Sequence, residues 1–419
     1  VEDTEMAAKP LRRLVAVAAG LTVVLLPQPA SSVRAERGVL AGDRGSGPPM
    51  WLVQTVAAAP GVRWSDVPAS HWARNAIDFV AGSNAWMRDY KANADGSYPF
   101  RPDVPENRRS FARALVKAFE PTAEADPSIS FSDVASGDRS FRWASVAVSR
   151  GWMQTDGSAF RPTEAVTVRD VHRALVLALG LGDLAAGAQS IHLRDGTPLD
   201  VPAGFGTLLI GMRLGLRFNH GDEGLDVGPD DPLPRSEVAW SLYRAKTAPT
   251  WIRDSLSAYA TISLPNVSDK MVRVVEWGMR FVGHPYLWGG DWDTATPSGY
   301  CCGWQPRGGF DCSGITWWIL KRQSSGWDNT PPRPYAGWDL PQRASAAMAT
   351  VGKLRWDEIR PGDLLFYDGN GDGTVDHVDT YLGAGWALDS GSSNAGVTIT
   401  RVEDSWYEEH FVHGRRIIG

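Results

Sequence analysis

Cys312 stands where a loop turns into an apolar helix: Phe310-Asp311-Cys312-Ser313-Gly314 leads directly into Ile315-Thr316-Trp317-Trp318-Ile319-Leu320. A thiol at a helix N-terminus feels the positive end of the dipole and unpaired backbone N–H groups, so its thiolate is stabilised and becomes a nucleophile at neutral pH. A small buried cysteine packed as a hydrophobe is the ordinary alternative. A thiol nucleophile also needs a base, a group that holds the base, and donors for the oxyanion. Histidine suits the base, because its pKa lies near working pH. After residue 270 the chain offers His284 in a loop beside Pro285, His377 at the start of an alternating apolar strand, and His410 and His413 in the final strand region.

The segments around these residues come in a fixed order. Gly283-His284-Pro285-Tyr286-Leu287-Trp288-Gly289-Gly290 precedes the cysteine; Arg360-Pro361-Gly362-Asp363-Leu364-Leu365-Phe366-Tyr367 follows it and leads to His377-Val378-Asp379-Thr380-Tyr381-Leu382-Gly383. In that order they resemble the NlpC-type cell-wall cysteine peptidases, whose pattern reads roughly PYxWGG, DCSG, PGDLxFF and HVxIYxG. The resemblance covers about the last third of the chain. It implies an α+β papain-like domain with the nucleophile at a helix N-terminus packed on an antiparallel sheet. It implies Cys312 as nucleophile and His377 as base. Setting Gly385-Trp386-Ala387-Leu388-Asp389-Ser390 against the family's G-x-x-I-H-A puts Asp389 in the third place, usually filled by His, where a carboxylate can orient the imidazole and stabilise its charged form. The resemblance further gives Tyr286 a role toward the oxyanion or substrate, and Asp311 and Ser313 one in holding the free amine end of a short peptide stem. Read without it, Asp311 is a helix N-cap and Tyr286 a packed aromatic. The long insert Asp291 to Gly309, with the adjacent Cys301 and Cys302, either walls the cleft or covers apolar surface.

Just before the base, Asp368-Gly369-Asn370-Gly371-Asp372-Gly373-Thr374-Val375-Asp376 fits the first positions of a calcium loop, with Asp379 at the twelfth. No helix flanks it, which excludes an EF-hand. A partial calcium site of Asp368, Asn370, Asp372, the Thr374 carbonyl and Asp376 stands beside a polar hairpin as the two readings. No cofactor is required by the chemistry above.

The elements that precede the reactive region repeat. Trp64-Ser65-Asp66-Val67, His71-Trp72-Ala73 and Phe100-Arg101-Pro102 recur as Phe131-Ser132-Asp133-Val134, Arg142-Trp143-Ala144 and Phe160-Arg161-Pro162, and a divergent third copy runs from about Ile191 to Tyr243. A period near 60 residues predicts a repeated helical unit, here an Asp-capped first helix, a Gly-containing turn and a second helix such as Val168 to Leu179. The copies resemble surface-layer-homology repeats. That resemblance implies an all-α module that holds a secondary cell-wall polymer, with Arg109, Arg169 and Arg235 as the arginines at the second-helix starts; a purely structural spacer is the other reading.

The chain has 419 residues, too many for one ordinary core, and a net charge of −6 with no basic tract to bind nucleic acid. Lys9-Pro10-Leu11-Arg12-Arg13, the apolar stretch Leu14 to Leu26 and Val33-x-Ala35 read as a secretory signal peptide. Three cysteines exclude a disulfide-built scaffold, and no apolar run of bilayer length provides a transmembrane anchor. The expected order is signal peptide 1–35, flexible leader 36–60, repeats 61–123, 124–183 and 184–247, linker 248–268 and peptidase domain 269–419. The expected function is an exported, wall-associated peptidoglycan hydrolase that cleaves a stem-peptide amide, by family resemblance between D-glutamate and a diamino acid. A silent wall-binding scaffold and an amidase or acyl-transfer enzyme using the same thiol are the rivals.

Overall fold

The computed structural model describes residues 61–299, 303–305, 307–320, 340–403 and 405–418. The signal peptide and leader expected over 1–60, and Cys301 and Cys302, lie outside the described residues.

The N-terminal half is helical. Its principal helices are α1 (Arg108–Phe119), α2 (Phe141–Ser149), α3 (Val168–Ala178), α4 (Phe205–Arg213) and α5 (Arg235–Thr247). Side-chain caps start two of them. Asn107 accepts from the Ser110 N–H, and Thr167 forms a reciprocal capping box with Asp170. The backbone just ahead of α1, α3 and α5 closes a ring: the Glu106 N–H donates to the Leu233 carbonyl (2.9 Å), Leu233 to Val166 (2.8 Å) and Val166 to Glu106 (2.8 Å). Three equivalent positions are thus joined head to tail around a pseudo-threefold hub.

The aspartates of the repeats do not cap helices. Asp66 accepts from the Phe100 and Arg101 N–H groups at 2.8 Å each, and Asp133 from those of Phe160 and Arg161 at 2.8 and 2.7 Å. Arg101 and Arg161 both sit at positive φ, 61° and 59°. Each aspartate therefore pins a strained turn some 30 residues away, and its spacing in sequence reports that turn rather than a helix start.

Residues 248–268 are more than a tether. Helix Thr250–Ser255 and the 3-10 turn Leu256–Ala260 deliver Tyr259, whose hydroxyl donates to the Ile399 carbonyl at 3.0 Å and whose ring meets Trp386 edge-on. Ser263–Leu264 then pairs in parallel with His192–Leu193.

The C-terminal domain packs α6 (Asp269–Met279) and α7 (Cys312–Leu320) against a sheet of β1 (Leu364–Tyr367), β2 (His377–Gly383), β3 (Trp386–Gly391), β4 (Gly396–Arg401) and β5 (Phe411–Arg415). The order is β4-β3-β2-β1-β5, antiparallel throughout. Every residue of α7 is buried, as an all-round apolar helix must be. Burial of Ile315, Ile319 and Leu320 stabilises this layer by about 1.5–3 kcal/mol each. No helix of the described residues is long and apolar enough to cross a membrane.

The two halves share a seam. The Arg217 guanidinium donates to the Gly283 carbonyl at 2.9 Å, and Gly283 lies at φ +92° where an added Cβ would come within 2.5 Å of Leu208 in α4. Glycine is required there twice over, by conformation and by contact.

Candidate active site

Two local devices place the thiol. The Phe310 N–H donates to the Pro285 carbonyl at 3.0 Å and the Leu287 N–H to the Phe310 carbonyl at 3.3 Å, so the PYLWGG loop runs beside the loop that enters α7. Gly314 lets Gly290 approach, since a Cβ there would fall 1.9 Å from the Gly290 carbonyl oxygen. Cys312 is the first residue of α7, and 9% of its surface remains exposed. Ser390, on β3, donates to the Phe310 carbonyl at 2.8 Å and fastens the same loop to the sheet.

His377 opens β2 and is 2% exposed. Its Nε2 lies 3.1 Å from Asp389 Oδ1 and 3.2 Å from Asp379 Oδ1. Burial alone would depress the imidazole pKa. The charges of Asp379 and Cys312, with the bonds to both carboxylates, overcome that and hold it well above its ordinary value. Cys312 thus lies within electrostatic reach of His377. The other C-terminal histidines are occupied: His284 meets the Phe281 carbonyl, His410 stacks on Trp406, and His413 meets the Ala349 carbonyl.

Asp389 is fully buried and held through one oxygen. Its Oδ2 accepts from Asn394 Nδ2 at 2.7 Å and from the Tyr407 hydroxyl at 2.8 Å. Burial would raise its pKa, but the bond to His377, that imidazole's charge and the Tyr407 hydroxyl hold it below the usual carboxylate range. Asp379 goes the other way: burial first, then the Asp389 charge, push it up to about 7 against the pull of His377. Asp379 matches the twelfth position of the calcium-loop pattern but was expected on the strand, outside the partial site. Because side chains on a strand alternate, it shares the face of His377 two residues earlier and belongs to the site instead. That period-2 signal was present in the sequence.

The loop ahead of His377 is closed by its own hydrogen bonds. Asp368 accepts from the Gly371, Asp372 and Gly373 N–H groups, Asn370 from Asp372, Asp372 from Thr374, and Asp376 from Gly369. The polar-hairpin reading accounts for these side chains through turn geometry.

Tyr286 is 7% exposed and is placed beside Cys312, whose charge, after burial, raises its phenol well above its usual pKa. It remains a neutral donor at working pH. Asp311 and Ser313 take part in a cap at the start of α7. Asp311 Oδ1 accepts from the Gly314 N–H (2.5 Å), the Ser313 hydroxyl (3.0 Å) and Arg343 (3.1 Å), and its Oδ2 from the Gly289 N–H (2.9 Å). Arg343, nearly buried, also reaches Ser313, Asp291 and the Gly290 carbonyl. The carboxylate is therefore a helix cap and loop clamp, the reading its place before Cys312 offers without the family resemblance. Arg343 had no signal in the sequence, since it stands far from every motif.

The insert forms two short ladders, Asp291–Trp292 against Gly309–Phe310 and Thr296–Gly299 against Gly303–Gln305. From the other side, Glu223 of the N-terminal module accepts from the Trp288 N–H at 2.7 Å, so that module borders the loop before the nucleophile.

Of the three polymer arginines, Arg235 is 1% exposed, paired with Asp89 at 2.7 Å and with Glu106, and turned inward from any polymer. Arg169 pairs with Asp230 at 2.8 Å on the surface, and Arg109 is exposed.

A helix-borne thiol beside an imidazole on an antiparallel sheet defines the papain-like class of fold. Residues 283–416 match the model of the NlpC/P60 family, and the C-terminal domain is of that family. Murein DD-endopeptidase MepH of Escherichia coli (strain K12) is 29% identical over 142 residues, which is 33% of this chain and 43% of that protein. Gamma-D-glutamyl-L-lysine dipeptidyl-peptidase of Bacillus subtilis (strain 168) is 31% identical over 145 residues, 34% of this chain and 40% of that protein. The chain thus spans less than half the length of these relatives. A solved NlpC/P60 family protein from Bacillus cereus ATCC 10987 is 27% identical, covering 37% of this chain and 42% of that one at a TM-score of 0.27.

Proposed function

We propose that this chain is an exported peptidoglycan hydrolase in which Cys312 attacks a stem-peptide amide, between D-glutamate through its side-chain carboxyl and a diamino acid. His377 carries the thiol proton and passes it to the leaving amine, and Asp389 holds the imidazole in its charged form. Tyr286 and the Cys312 backbone N–H at the start of α7 are the donors to the developing oxyanion. The observation that carries the reading is the 3.1 Å contact of His377 Nε2 with Asp389 Oδ1, on an imidazole that also feels the charge of Cys312. The two curated relatives support the substrate class, since their names describe a murein endopeptidase and a γ-D-glutamyl-L-lysine peptidase.

The three-repeat module is proposed to associate with the wall, with Arg109 and Arg169 as the arginines open to an acidic polymer. Purified wall incubated with the wild type and with Cys312→Ala, followed by mass spectrometry of released muropeptides, tests the enzyme. Thiol-dependent products whose masses match γ-glutamyl cleavage are expected. Equal release from both proteins, or none from either, leaves a wall-binding scaffold; a different product mass reassigns the bond.

A further inference from the structure

Arg213 ends α4, in the module ahead of the peptidase domain, yet its partner lies inside that domain. Its Nη1 donates to Asn394 Oδ1 at 2.8 Å, and Asn394 Nδ2 donates to Asp389 Oδ2 at 2.7 Å. The amide can point only one way. A guanidinium only donates and an ionised carboxylate only accepts, so Asn394 must turn its carbonyl to Arg213 and its NH2 to Asp389. The Tyr407 hydroxyl holds the same Oδ2 at 2.8 Å, and the opposite oxygen faces His377 at 3.1 Å. Asn394 ends the 3-10 turn Ser392–Asn394 and is followed by Ala395 at φ 55°, a short segment whose side-chain direction depends on what grips it.

We propose that Arg213 is a positioning residue for the catalytic base: by fixing Asn394 it fixes the Asp389 carboxylate against His377, so that the N-terminal module completes the peptidase site. The proposal rests on the hydrolase reading above. The groups that face Asp389 are consistent with it. His377 and Asp379 share the sheet, Tyr407 lies on the C-terminal side, and Arg213 comes from the module. Arg213 stacks over the Tyr259 ring at 5.9 Å; burial would weaken its charge, but Tyr259, Tyr407 and Asp389 more than offset this.

The test uses the full chain, with Arg213→Met, which keeps the aliphatic packing and removes the donors, Arg213→Lys, which keeps a cationic donor, and Asn394→Leu, which cuts the same relay from within the domain. Two quantities are read: kcat and KM on purified wall, and the rate of Cys312 alkylation by iodoacetamide at pH 7. The expected result for Arg213→Met is a fall of about tenfold or more in kcat, with KM within about twofold and a parallel fall in alkylation, as for loss of an outer partner of a reactive group. Arg213→Lys recovers part of it. Asn394→Leu matches Arg213→Met, and the double variant is no worse than either, because both cut one chain. A folded Arg213→Met or Asn394→Leu protein with wild-type kcat and alkylation overturns the proposal, as does full additivity of the two. Alkylation needs no substrate, so it decides the relay even where the wild type releases nothing from wall, the result that defeats the hydrolase reading instead.

Discussion

Asp379 and Asp389, on neighbouring antiparallel strands, present their Oδ1 atoms to the same nitrogen of one imidazole, at 3.2 and 3.1 Å from His377 Nε2. Two buried carboxylates this close do not both ionise easily. Their environments separate them: against burial, His377 first and the Tyr407 hydroxyl after it hold Asp389 below the usual carboxylate range, while burial and its neighbour's charge push Asp379 up to about 7. On the proposed mechanism Asp389 is the partner of the base, and Asp379, protonated below about pH 7, stands beside it.

Asp389→Asn is expected to lower kcat on wall about a hundredfold or more, because a neutral amide neither stabilises the imidazolium nor enforces the ring orientation. Asp379→Asn is expected to stay within about tenfold at pH 6, where the wild-type side chain is already neutral. Steady-state kinetics on both variants check this; equal losses would remove the division of roles.

The same pair has a signature in stability. The folded state favours the protonated form of Asp379, so the stability it contributes is complete below the ordinary carboxylate pKa of about 4 and is lost as pH rises through about 7. Asp379→Asn cannot lose a proton. Its thermal midpoint is therefore expected to fall less than the wild type's between pH 5 and pH 8, read by circular dichroism across that range.

Arg343→Met should act on stability before it acts on substrate. It leaves Asp291 and Asp311 buried without their cation, at a cost of about 3–5 kcal/mol. Asp311→Asn, which keeps the shape of the cap, is expected to change KM little. A large rise in KM with unchanged denaturant midpoint would restore a substrate role to Asp311.

Arg235→Ala and Arg169→Ala should part company. The first takes the cation from buried Glu106 and leaves Asp89 to Arg113 alone, and is expected to cost about 3–5 kcal/mol. The second breaks a surface pair worth about 0–1 kcal/mol. Urea unfolding of both, beside a wall-retention assay, separates loss of fold from loss of polymer contact.

The loop before His377 offers a simpler test. Its carboxylates already accept its own amides, so a chelator is expected to leave both the thermal midpoint and the alkylation rate of Cys312 unchanged. A fall in either on chelation, reversed by calcium, would show a bound ion there.

The site was legible in the sequence wherever chemistry is written locally. The turn into an apolar helix marks Cys312, the alternation of β2 marks His377, and the repeated Phe-Arg-Pro turns mark the periodic module. Asp379 was legible as a strand residue, but its place beside His377 was not drawn from the two-residue spacing that puts both on one face.

What the chain alone determined is the identity and order of the reacting groups, since a helix start, a strand face and a turn are each set by a few neighbouring residues. What only the tertiary structure decided is who holds those groups. Arg343 on Asp311, Arg213 on Asn394, Arg235 on Glu106 and Glu223 on the Trp288 amide join residues 32, 181, 129 and 65 positions apart. Guanidinium forks and carboxylates carry no local signal of their partners. Their pairing follows from desolvation, which makes an unmatched charge costly wherever packing happens to bury it.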